Sequence, residues 1–140
     1  MTDSDEILRN VRHVVVQDFP SRDIPDALTR AGLRVTIYGG PAEADVVSSE
    51  LDGDEVVHRQ IGSYPDDADL FYTYRPLAEI DAIIEEAQRL GVSTIWRQPE
   101  VDSDDVDADV WKAHAKAAGL TYVDSPTIDE AARALTESRS

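Results

Sequence analysis

The chain has 140 residues, carries 13 basic and 29 acidic side chains for a formal net charge of −16, and contains no cysteine. This length fits a single domain over residues 1–140 with a core of its own, and the lack of cysteine excludes disulfides, thiol catalysis and cysteine-ligated metal centres. The acidic excess also argues against nucleic acid as a partner, because recognition of its backbone needs basic patches.

The charge and the apolar pattern indicate a cytoplasmic protein without a membrane partner. No apolar run approaches the ~18 residues needed to span a bilayer, and the start MTDSDEILRN lacks the regions of a signal peptide. Such an acidic surface repels itself unless salt screens it, and at about 1 M salt the Debye length is only ~3 Å. We therefore expect a halophilic protein; a general acidic solubility coat is the alternative.

Strands and helices alternate along the chain. β-branched and aromatic runs predict strands at 11–17, 33–38, 69–74, 92–96 and 120–124, with a short strand at Val56-Val57 in the irregular stretch 41–68. Periodicity, caps and glycine stops predict helices at 3–10, 23–31, 76–90, after the acidic run 100–109 to about 118, and 127–135, with residues 136–140 fraying. This alternation predicts an α/β three-layer sandwich with a mainly parallel sheet of five to six strands.

In such a sheet a ligand binds outside the carboxyl ends of the strands. Three arginines, Arg22, Arg75 and Arg97, fall at or beside predicted strand ends. Arginine can hold a phosphate group with two parallel hydrogen bonds, so these positions suggest a phosphate-bearing ligand. The alternative is that the arginines only offset nearby acids.

Catalytic and metal-binding patterns are missing from the sequence. The histidines His13, His58 and His114 share no metal-ligand or triad spacing, and no G-x-S-x-G motif is present. An EF-hand loop starting at Asp102 would need glycine and glutamate where Asp107 and Ala113 stand. We therefore expect no catalytic residue, no metal and no enzymatic activity; an enzyme with an unrecognised site in the cleft is the alternative.

Four segments carry a resemblance to a known family: DEILRNVRHVVV, AGLRVTIYGGP, DADLFYTYRPLAEIDAIIEEAQRLGVSTIWRQPEV and HAKAAGLTYVDSPTIDEA. They are similar to the single-domain CoA-binding proteins, whose Rossmann-like fold also forms the CoA-binding domain of the succinyl-CoA synthetase alpha subunit. The third segment is the most specific, through Asp69, Arg75-Pro76, Gly91, Trp96 and Gln98.

The resemblance implies a Rossmann-like, non-catalytic binder of CoA, acyl-CoA or a related adenine nucleotide. Arg75 would contact a phosphate or the pantetheine, and Gln98 with Pro99 would form the far wall of the cleft. The full set of implied binding residues is Gln17, Asp18, Phe19, Ser21, Arg22, Tyr38, Gly39, Gly40, Tyr74, Arg75, Pro76 and Gln98.

The first loop departs from the family pattern. The family's first strand usually runs into a Gly-Ala-Ser type turn, whereas this chain has Gln17, Asp18 and Phe19. A Cβ at each place limits how closely the backbone approaches a phosphate, and Asp18 puts a negative charge beside it. The alternative function is therefore a degenerate domain without CoA that acts as a protein-interaction or oligomerisation module, with a homodimer left open. The directions in which Asp18 and Phe19 point distinguish the two.

Overall fold

A computed structural model describes residues 4–19, 21–38, 43–75, 77–98, 105–124 and 127–139. The strands in these residues are β1 (His13–Val16), β2 (Arg34–Tyr38), β3 (Val46–Asp52), β4 (Glu55–Gln60), β5 (Leu70–Thr73), β6 (Thr94–Arg97) and β7 (Thr121–Val123). The helices are α1 (Ser4–Arg9), α2 (Asp23–Arg30), α3 (Ile80–Leu90), α4 (Asp105–Ala117) and α5 (Ile128–Arg139).

The seven strands form one sheet in the order β4-β3-β2-β1-β5-β6-β7. Neighbours from β2 through β1, β5 and β6 to β7 pair in parallel, whereas β3 pairs antiparallel with both β2 and β4. The expectation of five to six strands was therefore wrong: the stretch 41–68 contains a hairpin of two full strands in place of one short strand.

A two-residue turn produces this hairpin. Gly53, the first of the two turn residues, has φ 66°, and only glycines have a positive φ in the described ranges. This fits a type II′ turn, which takes glycine in its first central position and needs a positive φ only there. The sequence ELDGDE looked like a loop because β4 is exposed along almost its whole length and therefore shows no apolar alternation.

Helices cover both faces of the sheet and so create two cores. Val14, Val16, Leu70 and Tyr72 face the core beneath α1, α2 and α5. Val15, which lies between Val14 and Val16 in β1, points to the other face of the sheet and packs in the core beneath α3 and α4. All four residues of β1 are buried, because a central parallel strand is covered on both sides; this explains its β-branched composition.

At the amino ends of the strands, Asp69 joins β1 to β5. Its Oδ2 accepts the backbone N–H groups of Arg12 at 2.9 Å and His13 at 3.0 Å, while its own N–H donates to the His13 carbonyl at 2.9 Å. Asp69, the acid that opens the family-like segment, thus lies at the amino ends of the strands, whereas the expected cleft lies at their carboxyl ends. Its role here is structural.

Glycine ends α3 as expected, since Gly91 adopts φ 73° at the C-cap. The last helix continues to Arg139, so residues 136–139 are helical; their fraying stays a prediction. Within the described ranges, no helix has both the length and the apolar character required to traverse a bilayer.

Candidate functional site

The sheet has its topological switch point between β1 and β5. From β1 the chain crosses through α2 to β2 on one side, and β5 pairs with β1 on the other. In open parallel sheets this geometry opens a crevice at the carboxyl ends of the two strands. The described residues of the stretches 17–22 and 74–79, which follow β1 and β5, lie at that crevice, and they include seven residues that the sequence selected.

Gln17 is fixed between the two strands. Its backbone N–H donates to the Tyr72 carbonyl at 2.9 Å, and its side-chain Oε1 accepts the Thr73 hydroxyl at 2.9 Å. Gln98 is tied to the same strand end, because its backbone N–H donates to the Thr73 carbonyl at 2.9 Å. These bonds continue the sheet for one residue beyond β1 and β6, and they give the crevice a firm floor.

Phe19 turns towards the protein interior. Its half-buried ring packs against the core beneath α1, α2 and α5, and Tyr74 packs against the same core. The aromatic ring therefore does not fill the crevice in the way that would exclude a ligand. It holds the first loop down onto the core instead.

Ser21 and Arg22 form the start of α2. The Ser21 hydroxyl accepts the Asp23 N–H at 3.1 Å, and the Ser21 carbonyl accepts the Ile24 N–H at 3.2 Å. Arg22 occupies the N-cap position with an exposed side chain. Arg22 makes no side-chain cap bond, but the glycine-free turn still presents a helix N-terminus, which favours negative charge through the helix dipole.

Asp18 turns across the crevice to Arg75. Asp18 Oδ2 lies 3.0 Å from Arg75 Nη1, and Asp18 Oδ1 accepts the Phe19 N–H at 2.9 Å. Arg75 also donates from Nε to Glu79 Oε2 at 3.0 Å. The hydrogen bonds to Glu79 and Asp18 raise the pKa of the Arg75 guanidinium. The guanidinium expected to hold a phosphate is therefore held by two carboxylates, and the three groups together carry a net charge of −1.

This ion-pair cluster remains accessible to solvent. The side chains of Arg75 and Asp18 are 40% and 41% exposed, and that of Glu79 is 37% exposed. Exposed ion pairs contribute only about 0–1 kcal/mol each. A ligand that offers two oxygens to Arg75 can therefore displace Asp18 at small cost, although the carboxylate remains nearby as a like charge.

Tyr38, at the end of β2, belongs to the opposite face. Its hydroxyl donates to Glu86 Oε2 at 2.6 Å, and its ring meets those of Tyr64 and Phe71 edge-on at 5.2 and 6.3 Å. Burial, followed by the Glu86 contact, raises the pKa of Tyr38. The hydroxyl is thus bonded to α3, and the ring packs against the core beneath α3 and α4. Gly39, Gly40, Pro76 and Pro99 lie outside the described residues.

Arg97 has a structural role. It is 2% exposed, donates to the Tyr122 hydroxyl at 3.1 Å and stacks over Trp111 at 5.5 Å. Tyr122 in turn donates to Asp124 at 2.9 Å. Of the three strand-end arginines, Arg75 and Arg22 reach the crevice loops and Arg97 is locked into the core.

Tyr72 of β5 is a core residue that carries a hydroxyl group. It is fully buried, and its hydroxyl has no hydrogen-bond partner among the described residues. Burial raises its pKa, with further contributions from Asp129, Tyr74 and Asp18. Burial alone would raise the pKa of Asp129 in the first turn of α5, but hydrogen bonds from Thr127 and Arg133 lower it, which favours the ionised carboxylate.

Comparison with solved structures supports the fold. The Thermus thermophilus protein designated cell-free ID.343 is 18% identical, covers 92% of this chain over 93% of its own and superimposes with a TM-score of 0.62. Prb, a PH1109 protein redesigned for binding, is 19% identical, covers 94% of this chain over 88% of its own and gives a TM-score of 0.60. Both are therefore Rossmann-like relatives in fold alone.

The family model described as a CoA binding domain matches residues 16–130, although no curated protein matches the chain. The matched range begins at the last residue of β1 and ends within the first turn of α5, so it contains both loops of the crevice. A match over this much of the chain, on a fold with the same parallel core, shows that the chain belongs to the CoA-binding domain family.

Proposed function

We propose that this domain binds CoA, acyl-CoA or a related adenine nucleotide at the carboxyl ends of β1 and β5, and that it does so without catalysis. The observation that supports this most is the position of Arg75. It stands at the switch point, beside the solvent, in a domain whose family is described by CoA binding.

Each of the two crevice loops carries one arginine. Arg22 lies at the N-terminus of α2, after β1, and Arg75 follows β5. A diphosphate between the loops would gain the guanidinium of Arg75 and the positive end of the α2 dipole. The glycine-free loop can meet a phosphate through a side chain and a helix terminus rather than through close backbone approach.

The proposal of a non-catalytic role follows from the side chains at the crevice. Residues 17–22 and 74–79 contain no histidine or lysine. Their two carboxylates, Asp18 and Glu79, are both engaged by Arg75, so neither is set up as a general base. Binding and release are the chemistry that this arrangement supports.

The second candidate is a degenerate domain that no longer holds CoA. The Asp18–Arg75 contact at 3.0 Å favours it, because the carboxylate takes the place of the expected phosphate. In that case the ion pair would close the crevice permanently, and the fold would act as an interaction module.

Calorimetric titration with CoA, acetyl-CoA and ADP in molar KCl separates the two candidates. The proposal is supported if Arg75→Ala weakens binding at least tenfold and Arg12→Ala leaves it unchanged. Arg12 is the control because it is exposed at the amino ends of the strands, away from the crevice. A ligand at 100 times its Kd should also add about 2.7 kcal/mol to stability. No heat and no stabilisation with any of the three would favour the degenerate domain, and equal effects of both variants would remove Arg75 from the site.

A further inference from the structure

The outer edge of β4 is an unpaired sheet edge that carries an exposed apolar side chain. β4 ends the sheet order and, among the described strands, pairs on one side only, with β3. Three large hydrophobic side chains are exposed among the described residues: Leu51 at 45%, Val57 at 37% and Ile61 at 41%. Val57 lies on β4 and Ile61 directly after it, whereas Leu51 lies on β3 opposite Val56 and so faces the other side of the sheet from Val57. Unpaired N–H and C=O groups beside exposed apolar side chains form a template for another strand.

The sequence of β4 is complementary to itself. Glu55, Val57 and Arg59 alternate with Val56 and His58, so the first three point to one face of the sheet. If two β4 strands pair antiparallel about a two-fold axis at Val57, each Val57 lies opposite its own copy. In the same register each Glu55 lies opposite an Arg59, once on either side of the axis.

Neighbouring registers lose this match. A centre at Val56 places Glu55 opposite Val57, and a centre at His58 places Arg59 opposite Val57. A two-fold axis perpendicular to the sheet keeps each side chain on its own face, and directly opposite residues must share a face. The axis must therefore pass beside a residue that meets its own copy. Of these three registers, only the one centred at Val57 places opposite charges directly across from each other, within contact distance.

The contacts inside the monomer leave these side chains available. Arg59 is 73% exposed and lies 3.7 Å from Glu50 of β3, a weak surface pair. In the two-fold arrangement Arg59 would lie between Glu50 of its own chain and Glu55 of the other. An arginine flanked by two acids from different chains adds attraction at the place where the −16 charge of each copy would otherwise oppose association.

We propose that β4 pairs with β4 of a second copy of this chain, joining two seven-stranded sheets into one continuous sheet across a two-fold axis at Val57. The six-residue edge is small, so the dimer forms at high protein concentration and gains from salt that screens the overall repulsion. This inference is independent of the proposed ligand, because the hairpin lies at the sheet edge, away from β5 and Arg75.

Charge reversal tests the register. Arg59→Glu should set the introduced carboxylate against Glu55 of the other copy and give a monomer, and Glu55→Arg should do the same with two guanidinium groups. An equimolar mixture of the two variants should recover the dimer, as should the double variant in one chain. The controls Lys112→Glu and Glu85→Arg change the charge equally at exposed helix positions and should stay dimeric. Sedimentation velocity in molar KCl, up to millimolar protein, measures each species.

A cysteine placed on the axis gives a second test that does not depend on affinity. The chain has no cysteine, so Val57→Cys under mild oxidation should form an intermolecular disulfide, with Ile61→Cys, similarly exposed on the same edge, as the control. Rapid crosslinking of the first variant alone supports the axis. Equal crosslinking of both, a wild-type monomer at every concentration, or variant mixtures that stay monomeric would each overturn the proposal.

Discussion

Replacing Asp18 with asparagine is the sharpest single perturbation of the crevice. The change keeps the size of the side chain and its bond from the Phe19 N–H, but removes the charge that occupies Arg75. Under the proposed function, Asp18→Asn should tighten binding of CoA and ADP, because the ligand phosphate then meets Arg75 without a competing carboxylate beside it.

The structure sets the size of this effect. Asp18 Oδ2 lies 3.0 Å from Arg75 Nη1, so a phosphate oxygen on the same guanidinium comes within about 4 Å of the displaced carboxylate. Two like charges at ~4 Å repel by ~4 kcal/mol at an effective dielectric of ~20 and by ~1 kcal/mol in bulk water. Since both side chains are about 40% exposed, the lower part of this range applies. We expect a gain of about 1–2 kcal/mol, which corresponds to roughly 5–30-fold tighter binding.

Calorimetric titration of wild type and Asp18→Asn with CoA and ADP, at low and at molar KCl, measures the gain. Asp109→Asn is the matched control, since it removes an exposed carboxylate from α4, away from the two crevice loops, and should change affinity by less. Unchanged or weaker binding by Asp18→Asn would refute the argument that this carboxylate competes with the ligand.

Further predictions concern stability. Asp69→Ala should cost about 1–3 kcal/mol in urea unfolding, because two backbone N–H groups lose their acceptor, while Asp66→Ala should cost little. Gly91→Ala should cost about 1 kcal/mol from the positive φ alone, since its Cβ would meet no atom within 4 Å; a cost near zero would contradict this. Burial, followed by the charge of Arg34, lowers the pKa of His13 below its ordinary value of 6.5. As the pH falls through 6.5, the unfolded state therefore takes up this proton before the folded state does. The free energy of unfolding of wild type should fall there, and that of His13→Gln should fall less. If the chain is halophilic, its unfolding midpoint should rise from low salt to molar KCl, and equal midpoints would contradict that hypothesis.

The sequence was sufficient for the parts of the fold that rest on local patterns. The buried β-branched run of β1 and the glycine that ends α3 at φ 73° each have a local physical cause, so each appears where expected. The β3–β4 hairpin was missed because its stability comes from pairing along β3 and a glycine turn, while its own side chains are largely exposed. Pairing between strands leaves little trace in the apolar pattern of either one.

The candidate site shows the same division. The position of the crevice follows from the order of strands and loops, and sequence reasoning selected both loops that border it. The directions of Asp18 and Phe19 did not follow, because each depends on a distant partner. Arg75 is 57 residues from Asp18 in the chain, and the core that receives Phe19 is assembled from three helices and the sheet. A side chain's direction in a loop is decided by whichever tertiary contact outcompetes water.

Salt separates charge from shape as the reason for any effect of Asp18. Repulsion between surface acids more than about 10 Å apart is already screened at 0.1 M salt, whereas a pair at ~4 Å is still inside the Debye length there and is screened only towards 1 M, where that length is ~3 Å. The affinity difference between wild type and Asp18→Asn should therefore shrink over this range if the carboxylate acts as a charge. A difference that stays constant from 0.1 to about 1 M would mean that Asp18 acts by holding the first loop in place, through its bond to the Phe19 N–H, rather than by repelling the phosphate.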